Sequence, residues 1–185
     1  MSKKIKARDI CVTATFTAVV AALSQVPIPT PFAVSVTLQT FAVALTAFLL
    51  GAKRSFAAML CYVLLGAAGV PVFYGFGAGT ATLFGPTGGF ILAFPVYALI
   101  LSFMFYVNKA VFKVLLAAAA LTFLYVAGTA QFLIVTGSRA ATAVSVFSLY
   151  FIKDVLVVAA AYFLCLRIRP GLAKFIQPSR YKADK

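Results

Sequence analysis

The chain has 185 residues, of which 64% are hydrophobic and 10% are charged, and it carries a formal net charge of +13. A soluble domain usually has about 25% charged and about 45–50% apolar residues. This composition excludes an ordinary soluble enzyme and favours a membrane protein. Because one domain typically takes roughly 100–200 residues, we expect residues 1–185 to form a single transmembrane domain.

The distribution of charge predicts six membrane-spanning helices. No charged residue lies between Asp9 and Lys53 or between Arg54 and Lys109. A helix needs about 20 apolar residues to cross a bilayer, so each of these two stretches has room for two crossings. The prolines within residues 27–31 end the first crossing, because proline interrupts helical hydrogen bonding. The predicted crossings are residues 10–26, 35–51, 56–68, 89–107, 114–138 and 140–166.

The basic residues predict the orientation of this all-α bundle. All but two of the 16 Lys and Arg residues lie in the chain ends and in the two loops that six crossings place on the same side as the ends. The exceptions are Arg139 and Lys153. Lys and Arg favour cytoplasmic segments, so both termini are predicted to be cytoplasmic, with residues 1–9 and 167–185 as basic ends. These residues would face anionic lipid headgroups, and we expect no nucleic-acid partner.

The sequence contains few of the side chains that enzymes use for catalysis. It contains no histidine and no glutamate, and its three acidic residues are Asp9, Asp154 and Asp184. A serine or cysteine nucleophile would lack its usual activating base, and the cysteines lack the spacing of a metal site. No Gly-Lys pair is present, which excludes a Walker-type phosphate loop. We therefore expect a binding or transport protein that uses no cofactor and no metal and is not an enzyme.

The strongest candidate site is the adjacent pair Lys153 and Asp154 in the sixth predicted crossing. An ionisable group at the bilayer centre costs at least about 2.5 kcal/mol on insertion scales, so it normally faces an interior cavity or a partner. Two other interpretations are an ion pair that satisfies itself and a lysine that extends to the membrane surface. Asp154 is favoured as the ligand-binding group because its side chain is short, and it would accept hydrogen bonds from N–H groups.

A second candidate is the loop at residues 69–89, which contains seven of the 12 glycines together with Phe73 and Tyr74. Glycine lets backbone approach a ligand closely, and aromatic rings offer flat apolar surface. Gly85 and Thr87 belong to the part of this loop that enters the fourth crossing. A flexible connector is the alternative, although a loop of this length more commonly has a function or structure of its own.

Two further patterns concern helix surfaces. Gln39 lies at the start of the second crossing as a polar candidate for binding, with a helix-to-helix hydrogen bond as the alternative.

Ala14, Ala18 and Ala22 recur at four-residue spacing in the first crossing. Small residues at this spacing form a flat stripe on which another membrane helix can lie closely. The stripe predicts either internal packing or docking of a separate membrane subunit.

Three motifs together resemble a known family. They are VTLQT at residues 36–40, YVLLGAAGVPVF at residues 62–73 and GPTGGF at residues 85–90. In this order they resemble the BioY family, the biotin-specific substrate-binding (S) subunits of energy-coupling-factor (ECF) transporters. The resemblance extends from the first predicted crossing to the sixth.

The resemblance implies a six-helix bundle with a vitamin pocket near the extracellular face, covered by the loops after the first, third and fifth crossings. It implies high-affinity binding and uptake of biotin across a prokaryotic plasma membrane. A transmembrane coupling subunit and two ATPase subunits would power transport, and the alanine stripe matches the small-residue motif that meets the coupling subunit. An S subunit for another small vitamin and a stand-alone proton-coupled carrier are the alternatives.

The resemblance also implies residue roles. Asp154 aligns with an aspartate that contacts the ureido ring of biotin. A lysine often follows that aspartate by three residues, but this chain has Val157 there, so Lys153 and Arg139 are both candidates for the partner of the biotin carboxylate. The expected substrate-binding residues are Asp154, Lys153, Gln39, Phe73, Tyr74, Gly85, Thr87 and Arg139.

Overall fold

Helices make up nearly all of the regular structure. The computed structural model of the protein describes residues 7–28 and 36–176. The α-helices are, in chain order, α1 (Ala7–Ser24), α2 (Gln39–Leu50), α3 (Ala52–Ala67), α4 (Gly79–Leu83), α5 (Gly88–Ser102), α6 (Ala110–Thr136) and α7 (Ala140–Ile176). The remaining elements are two 3-10 turns, Tyr74–Phe76 and Phe103–Tyr106, and one antiparallel pair of short strands, β1 (Pro27–Ile28) and β2 (Val36–Thr37).

The helical fold class is confirmed, whereas several predicted helix ends are wrong. α2 begins at Gln39 and not at residue 35, because β2 pairs with β1 before the helix starts. α3 begins at Ala52, immediately after Gly51, whose φ of 75° ends α2. α7 continues to Ile176, so the first part of the predicted basic end is helical. Residues 1–6 and 177–185 of the predicted basic ends lie outside the described residues, as do residues 29–35 between β1 and β2.

α2 and α5 occupy the middle of the bundle. α5 packs against α6, α3 and α2, and α2 also packs against α7, α1 and α3. The remaining pairs close the ring, with α1 against α3 and α6 against α7. Most residues of α2 and α5 are buried, whereas α6 buries few. Most side chains of α2 and α5 therefore lie in the interior of the protein.

Length and apolar character identify a membrane protein. Three helical segments are long and apolar enough to cross a bilayer: α1, α5 with the 3-10 turn that extends it to Tyr106, and α6. α2 is a shorter apolar helix of 12 residues, or about 18 Å at 1.5 Å per residue. α6 also exposes large apolar side chains, such as Phe112, Leu115 and Ile134, along its length. A soluble monomer rarely exposes an apolar surface of this extent, whereas lipid covers it.

Candidate functional site

Asp154 lies on the inward face of α7. The buried residues of this helix include Tyr150, Asp154, Val158, Ala161 and Cys165. Their spacing of three or four residues is that of one face of an α-helix, and this face packs against α2 and α6. The Asp154 side chain is 5% exposed. The helical periodicity thus carries a carboxylate into the interior and away from the lipid-facing side.

Three donors from three helices surround the carboxylate. Thr40 of α2 donates from Oγ1 to Asp154 Oδ1 at 2.9 Å. Tyr125 of α6 donates from Oη to Asp154 Oδ2 at 2.6 Å. Lys153 of α7 places Nζ 2.6 Å from Oδ1. We call Thr40, Tyr125, Lys153 and Asp154, with Tyr97, the carboxylate cluster.

The Lys153–Asp154 ion pair is one of the interpretations that the sequence left open, and the structure contains it. Adjacent helical residues point about 100° apart, but the long lysine stem bends back to its neighbour. The Lys153 side chain is 29% exposed, so it is less deeply buried than that of Asp154. The pair brings one positive and one negative charge together. An uncharged polar ligand would therefore disturb this site less than an ion, which would need a further counter-charge.

The carboxylate keeps capacity for another hydrogen bond. An ionised carboxylate has about four acceptor positions on its two oxygens. In this structure Asp154 Oδ1 has two donors and Oδ2 has one. By this count one acceptor position of the carboxylate has no donor among the described side chains. The cluster can therefore bind a neutral ligand that presents an N–H donor.

Aromatic packing fixes the position of the Tyr125 hydroxyl. The Tyr125 ring packs edge-to-face against Phe90 of α5 at 5.6 Å and against Phe151 of α7 at 5.4 Å between centroids. Gly128, one turn further along α6, lies against the Phe90 ring, where a Cβ atom would overlap it. Glycine at this position therefore lets α5 approach α6 closely enough for Phe90 to hold Tyr125.

Tyr97 of α5 is the fifth member of the cluster. It is 0% exposed, and its hydroxyl has no hydrogen-bond partner among the described residues. It interacts electrostatically with Asp154 and with Tyr125. A buried polar group without a partner is uncommon in folded proteins.

Gln39 belongs to a second buried polar network. Gln39 Nε2 donates to Tyr62 Oη at 2.8 Å, and Tyr62 Oη donates to the Val72 carbonyl at 3.0 Å. Ser24 Oγ of α1 donates to the same carbonyl at 2.6 Å. We call these four residues the glutamine network. The structure thus contains the helix-to-helix hydrogen bond considered for Gln39. The neighbouring Thr40 instead bonds to Asp154.

Two glutamine side chains anchor the loop between α3 and α5. Gln25, directly after α1, donates from Nε2 to the Phe73 carbonyl at 2.7 Å and accepts from the Phe76 N–H at 2.9 Å. Gln131 of α6 donates from Nε2 to the Leu83 carbonyl at 2.6 Å and to the Gly85 carbonyl at 2.8 Å. The loop is therefore attached to α1 and α6, which disagrees with the flexible connector considered as the alternative.

The predicted loop residues lie in different surroundings. Phe73 is fully buried, with its ring 5.4 Å from that of Tyr62, edge to face. Tyr74 is partly exposed in the 3-10 turn, and Gly85 is half-buried where Gln131 binds its carbonyl. Thr87 is exposed at the start of α5 and makes no capping bond with its side chain. The structure therefore brings Phe73 to the glutamine network and leaves Thr87 at the surface.

Arg139 lies in the connection between α6 and α7 and is exposed. Gly137, in the left-handed conformation with φ of 64°, ends α6 just before it. Gln131 binds the loop from the last two turns of the same helix, so Arg139 and the loop share one end of the bundle. The structure does not place Arg139 among the hydrogen-bonded members of the carboxylate cluster.

The alanine stripe faces outwards. Ala14, Ala18 and Ala22 are all exposed on α1. The opposite face of this helix is buried, and Thr17 Oγ1 donates to the Ala58 carbonyl of α3 at 3.0 Å. Packing within the chain therefore does not explain the stripe, since the residues that pack against α3 are others.

Sequence reasoning missed several residues of the site. Thr40 belongs to the VTLQT motif, from which the sequence pattern favours only Gln39. Gln25 and Gln131 are polar residues within or beside predicted crossings, which is a usable signal. Tyr97 and Tyr125 carry no signal of this kind, because tyrosine is common in membrane helices and only the three-dimensional packing brings both to Asp154.

Taken together, these observations define a helical membrane protein with a buried carboxylate cluster and with a loop anchored at one end of the bundle. The BioY family model matches residues 1–174, and the chain belongs to the BioY family.

Relatives with assigned names agree with this membership. The chain is 53% identical over 85 residues to the biotin transporter BioY2 of Lactococcus lactis subsp. cremoris, a match that covers 46% of each chain. It is 41% identical over 99 residues to a probable biotin transporter BioY of Pyrococcus horikoshii, covering 52% of this chain and 59% of that one. The chain thus spans about half the length of the curated relatives it matches.

A solved structure shares the fold. The crystal structure of the S-component for biotin from an ECF-type ABC transporter superposes with a TM-score of 0.79 at 20% identity. The match covers 92% of this chain and 95% of that chain. At this identity the likeness shows a shared fold.

Proposed function

We propose that the protein is the biotin-binding S subunit of an ECF transporter and takes part in uptake of biotin across a prokaryotic plasma membrane. The observation that carries this proposal is the buried Asp154 carboxylate, held by three donors and able to accept one more. Biotin has a neutral cyclic urea whose N–H groups suit such an acceptor. The names of the relatives and the shared S-component fold support the choice of ligand.

In the proposed complex, Asp154 accepts a hydrogen bond from a ureido N–H. Each added hydrogen-bond donor stabilises a buried carboxylate, because the carboxylate has lost the water molecules that would otherwise bind it. Phe73 and Tyr74 supply apolar surface from the loop, with Gly85 and Thr87 at the other end of the same segment. Gln39 contributes to binding indirectly, because the glutamine network fixes the backbone of the loop at Val72.

Lys153 and Arg139 are the two candidates for the partner of the biotin carboxylate. Lys153 is engaged with Asp154 at 2.6 Å. Arg139 is exposed at the end of the bundle that carries the loop. A flexible acyl tail that leaves the cluster would extend towards that end. We therefore favour Arg139 over Lys153 as the cation that meets the tail.

The proposed topology has six crossings, formed by α1, α2, α3, α5, α6 and α7, in one domain with both termini cytoplasmic. Cationic side chains gather at the end of the bundle opposite the loop. Arg54 pairs with Asp9 at 2.8 Å, Lys113 Nζ donates to Tyr162 Oη at 3.0 Å, and Arg169 lies 4.2 Å from the Phe105 ring. Cytoplasmic segments are enriched in such residues, which supports placing the loop outside the cell.

The proposed partners are a transmembrane coupling subunit and, through it, two ATPase subunits. The exposed stripe of Ala14, Ala18 and Ala22 on α1 is the proposed contact surface. Small side chains let a partner helix approach closely in lipid, where van der Waals packing drives association. Energy for transport would then come from the partners.

Recovery of small molecules from the protein tests the proposed ligand. The protein is purified gently from a biotin-containing host, and retained compounds are identified by mass spectrometry. We expect biotin in near-stoichiometric amount and its displacement by added biotin but not by thiamine or riboflavin. Recovery of another vitamin, or of no vitamin together with no calorimetric signal for biotin, would contradict the proposal.

A further inference from the structure

Tyr97 differs from a comparable buried tyrosine. Tyr62 and Tyr97 are both 0% exposed. The Tyr62 hydroxyl accepts a hydrogen bond from Gln39 and donates one to Val72. The Tyr97 hydroxyl has no partner among the residues that the structure describes. A phenylalanine would fill the same space without the cost of desolvating a hydroxyl, so the hydroxyl requires a reason beyond packing.

The position of Tyr97 points to the carboxylate cluster. Tyr97 follows Phe90 by seven residues on α5, which is about two helical turns, so the two side chains share a face. Phe90 on that face packs against Tyr125. Electrostatic interactions link Tyr97 to both Asp154 and Tyr125. The unpartnered hydroxyl therefore lies in the same buried region as the carboxylate.

The other donors of the cluster are already engaged. Thr40, Tyr125 and Lys153 all direct a donor to Asp154. Within the described part of the chain, Tyr97 is then the member of the cluster whose O–H remains available. A neutral phenol gives a directed donor and adds no charge to a site whose charges already balance.

We propose that Tyr97 is a ligand-binding residue, whose hydroxyl donates a hydrogen bond to the carbonyl oxygen of the cyclic urea that Asp154 recognises through N–H. This inference rests on the proposed function. A cyclic urea presents N–H donors and a C=O acceptor on one rigid ring. A carboxylate accepts hydrogen bonds from the N–H groups, and a hydroxyl donates one to the C=O group. Asp154 and Tyr97 together would therefore recognise both the donors and the acceptor of the cyclic urea.

The test measures binding of biotin and of its thiourea analogue, in which sulfur replaces the ureido oxygen, by isothermal titration calorimetry. In the wild type biotin should bind more tightly than the analogue, because sulfur is the weaker acceptor. Tyr97→Phe should weaken biotin binding roughly five- to tenfold and reduce the discrimination between the two ligands. Its ligand-free Tm should equal or exceed that of the wild type, since an unpaired buried hydroxyl is removed.

Tyr62→Phe is the matched control, because it removes a hydroxyl that serves the loop. It should lower the ligand-free Tm and change the affinity for both ligands by the same factor. Unchanged biotin affinity in Tyr97→Phe, or an equal loss for biotin and the analogue, would overturn the assignment. If the wild type binds no biotin, the proposed function fails; if the wild type binds and only Tyr97→Phe is without effect, the role of Tyr97 alone fails.

Discussion

Gln39 and Thr40 are neighbours on α2, yet they enter two different buried polar networks. The glutamine network is neutral, and its side chains find partners within the chain, ending on the Val72 carbonyl of the loop. The carboxylate cluster contains an ion pair, an acceptor position left over on Asp154 and an unpartnered hydroxyl on Tyr97. We propose that the first network holds structure and that the second binds the ligand.

The two networks also differ in where they attach. The glutamine network joins α1, α2 and α3 to the first half of the loop, whose second half is bound by Gln131 of α6. Tyr125 precedes Gln131 on α6 by six residues, or about 9 Å of helical rise. The carboxylate cluster therefore lies beneath the anchored loop. α6 contributes Tyr125 to the cluster and binds the loop through Gln131.

The largest effect on binding is expected from Asp154→Asn. An amide cannot replace a carboxylate as acceptor of several donors, and hydrogen bonds to charged groups contribute about 1.5–3 kcal/mol each. We expect biotin affinity to fall roughly 100-fold in calorimetry, with the protein still folded by circular dichroism. Asp9→Asn is the control, because Asp9 pairs with Arg54 at the opposite end of the bundle. Equal affinities of Asp154→Asn and wild type would remove Asp154 from the site.

A smaller loss is expected from Tyr125→Phe. This substitution keeps the ring between Phe90 and Phe151 but removes the 2.6 Å hydrogen bond to Asp154. Asp154 then loses one of the contacts that orient it, and we expect roughly a tenfold loss of biotin affinity. Thr136→Val serves as a control on the same helix, because Thr136 Oγ1 bonds locally and is exposed. An affinity within twofold of the wild type for Tyr125→Phe would show that this bond does not position the carboxylate.

Gln39→Met should mainly affect stability. It preserves length but removes the hydrogen bond to Tyr62, at a cost of about 1 kcal/mol in the free energy of unfolding. Because Tyr62 still reaches Val72, biotin affinity should fall less than in Tyr125→Phe. A lowered Tm with a minor change in calorimetric affinity would support the comparison. A loss as large as that of Asp154→Asn would instead place Gln39 in direct contact with the ligand.

Ala18→Trp should leave biotin binding unchanged. Ala18 is exposed on α1, away from both networks, and a bulky ring would prevent close approach of a partner helix. We expect wild-type affinity in calorimetry but loss of the coupling subunit in co-purification. Ala119→Trp, on the exposed side of α6, controls for bulk in the membrane and should assemble normally. Intact complexes with Ala18→Trp would exclude this surface.

The sequence predicts the fold class because apolar length and charge position are one-dimensional signals. The absence of charge from Asp9 to Lys53 marks apolar helices without any knowledge of packing. Helix ends depend on contacts that the sequence does not display, as with the pairing of Val36–Thr37 to Pro27–Ile28 that delays the start of α2.

The site is predictable only where a residue is chemically exceptional in its context. Asp154 stands out as a carboxylate in an apolar helix, and the sequence identifies it without a structure. Tyr97 and Tyr125 become notable only when α5 and α6 pack together. This packing lets the Tyr125 hydroxyl bond to Asp154 and leaves the buried Tyr97 hydroxyl without a partner among the described residues. The alternatives left open for Lys153 and Gln39 likewise needed distances, which show an ion pair and a bond to Tyr62.

The central claim is that the Asp154 carboxylate contacts the ureido group of the ligand. A crystal or cryo-electron microscopy structure of the protein with biotin tests it most directly. The account predicts a ureido nitrogen within about 3 Å of an Asp154 oxygen, the normal range for such a hydrogen bond. Biotin bound elsewhere, with Asp154 still contacting only Lys153, Thr40 and Tyr125, would contradict it.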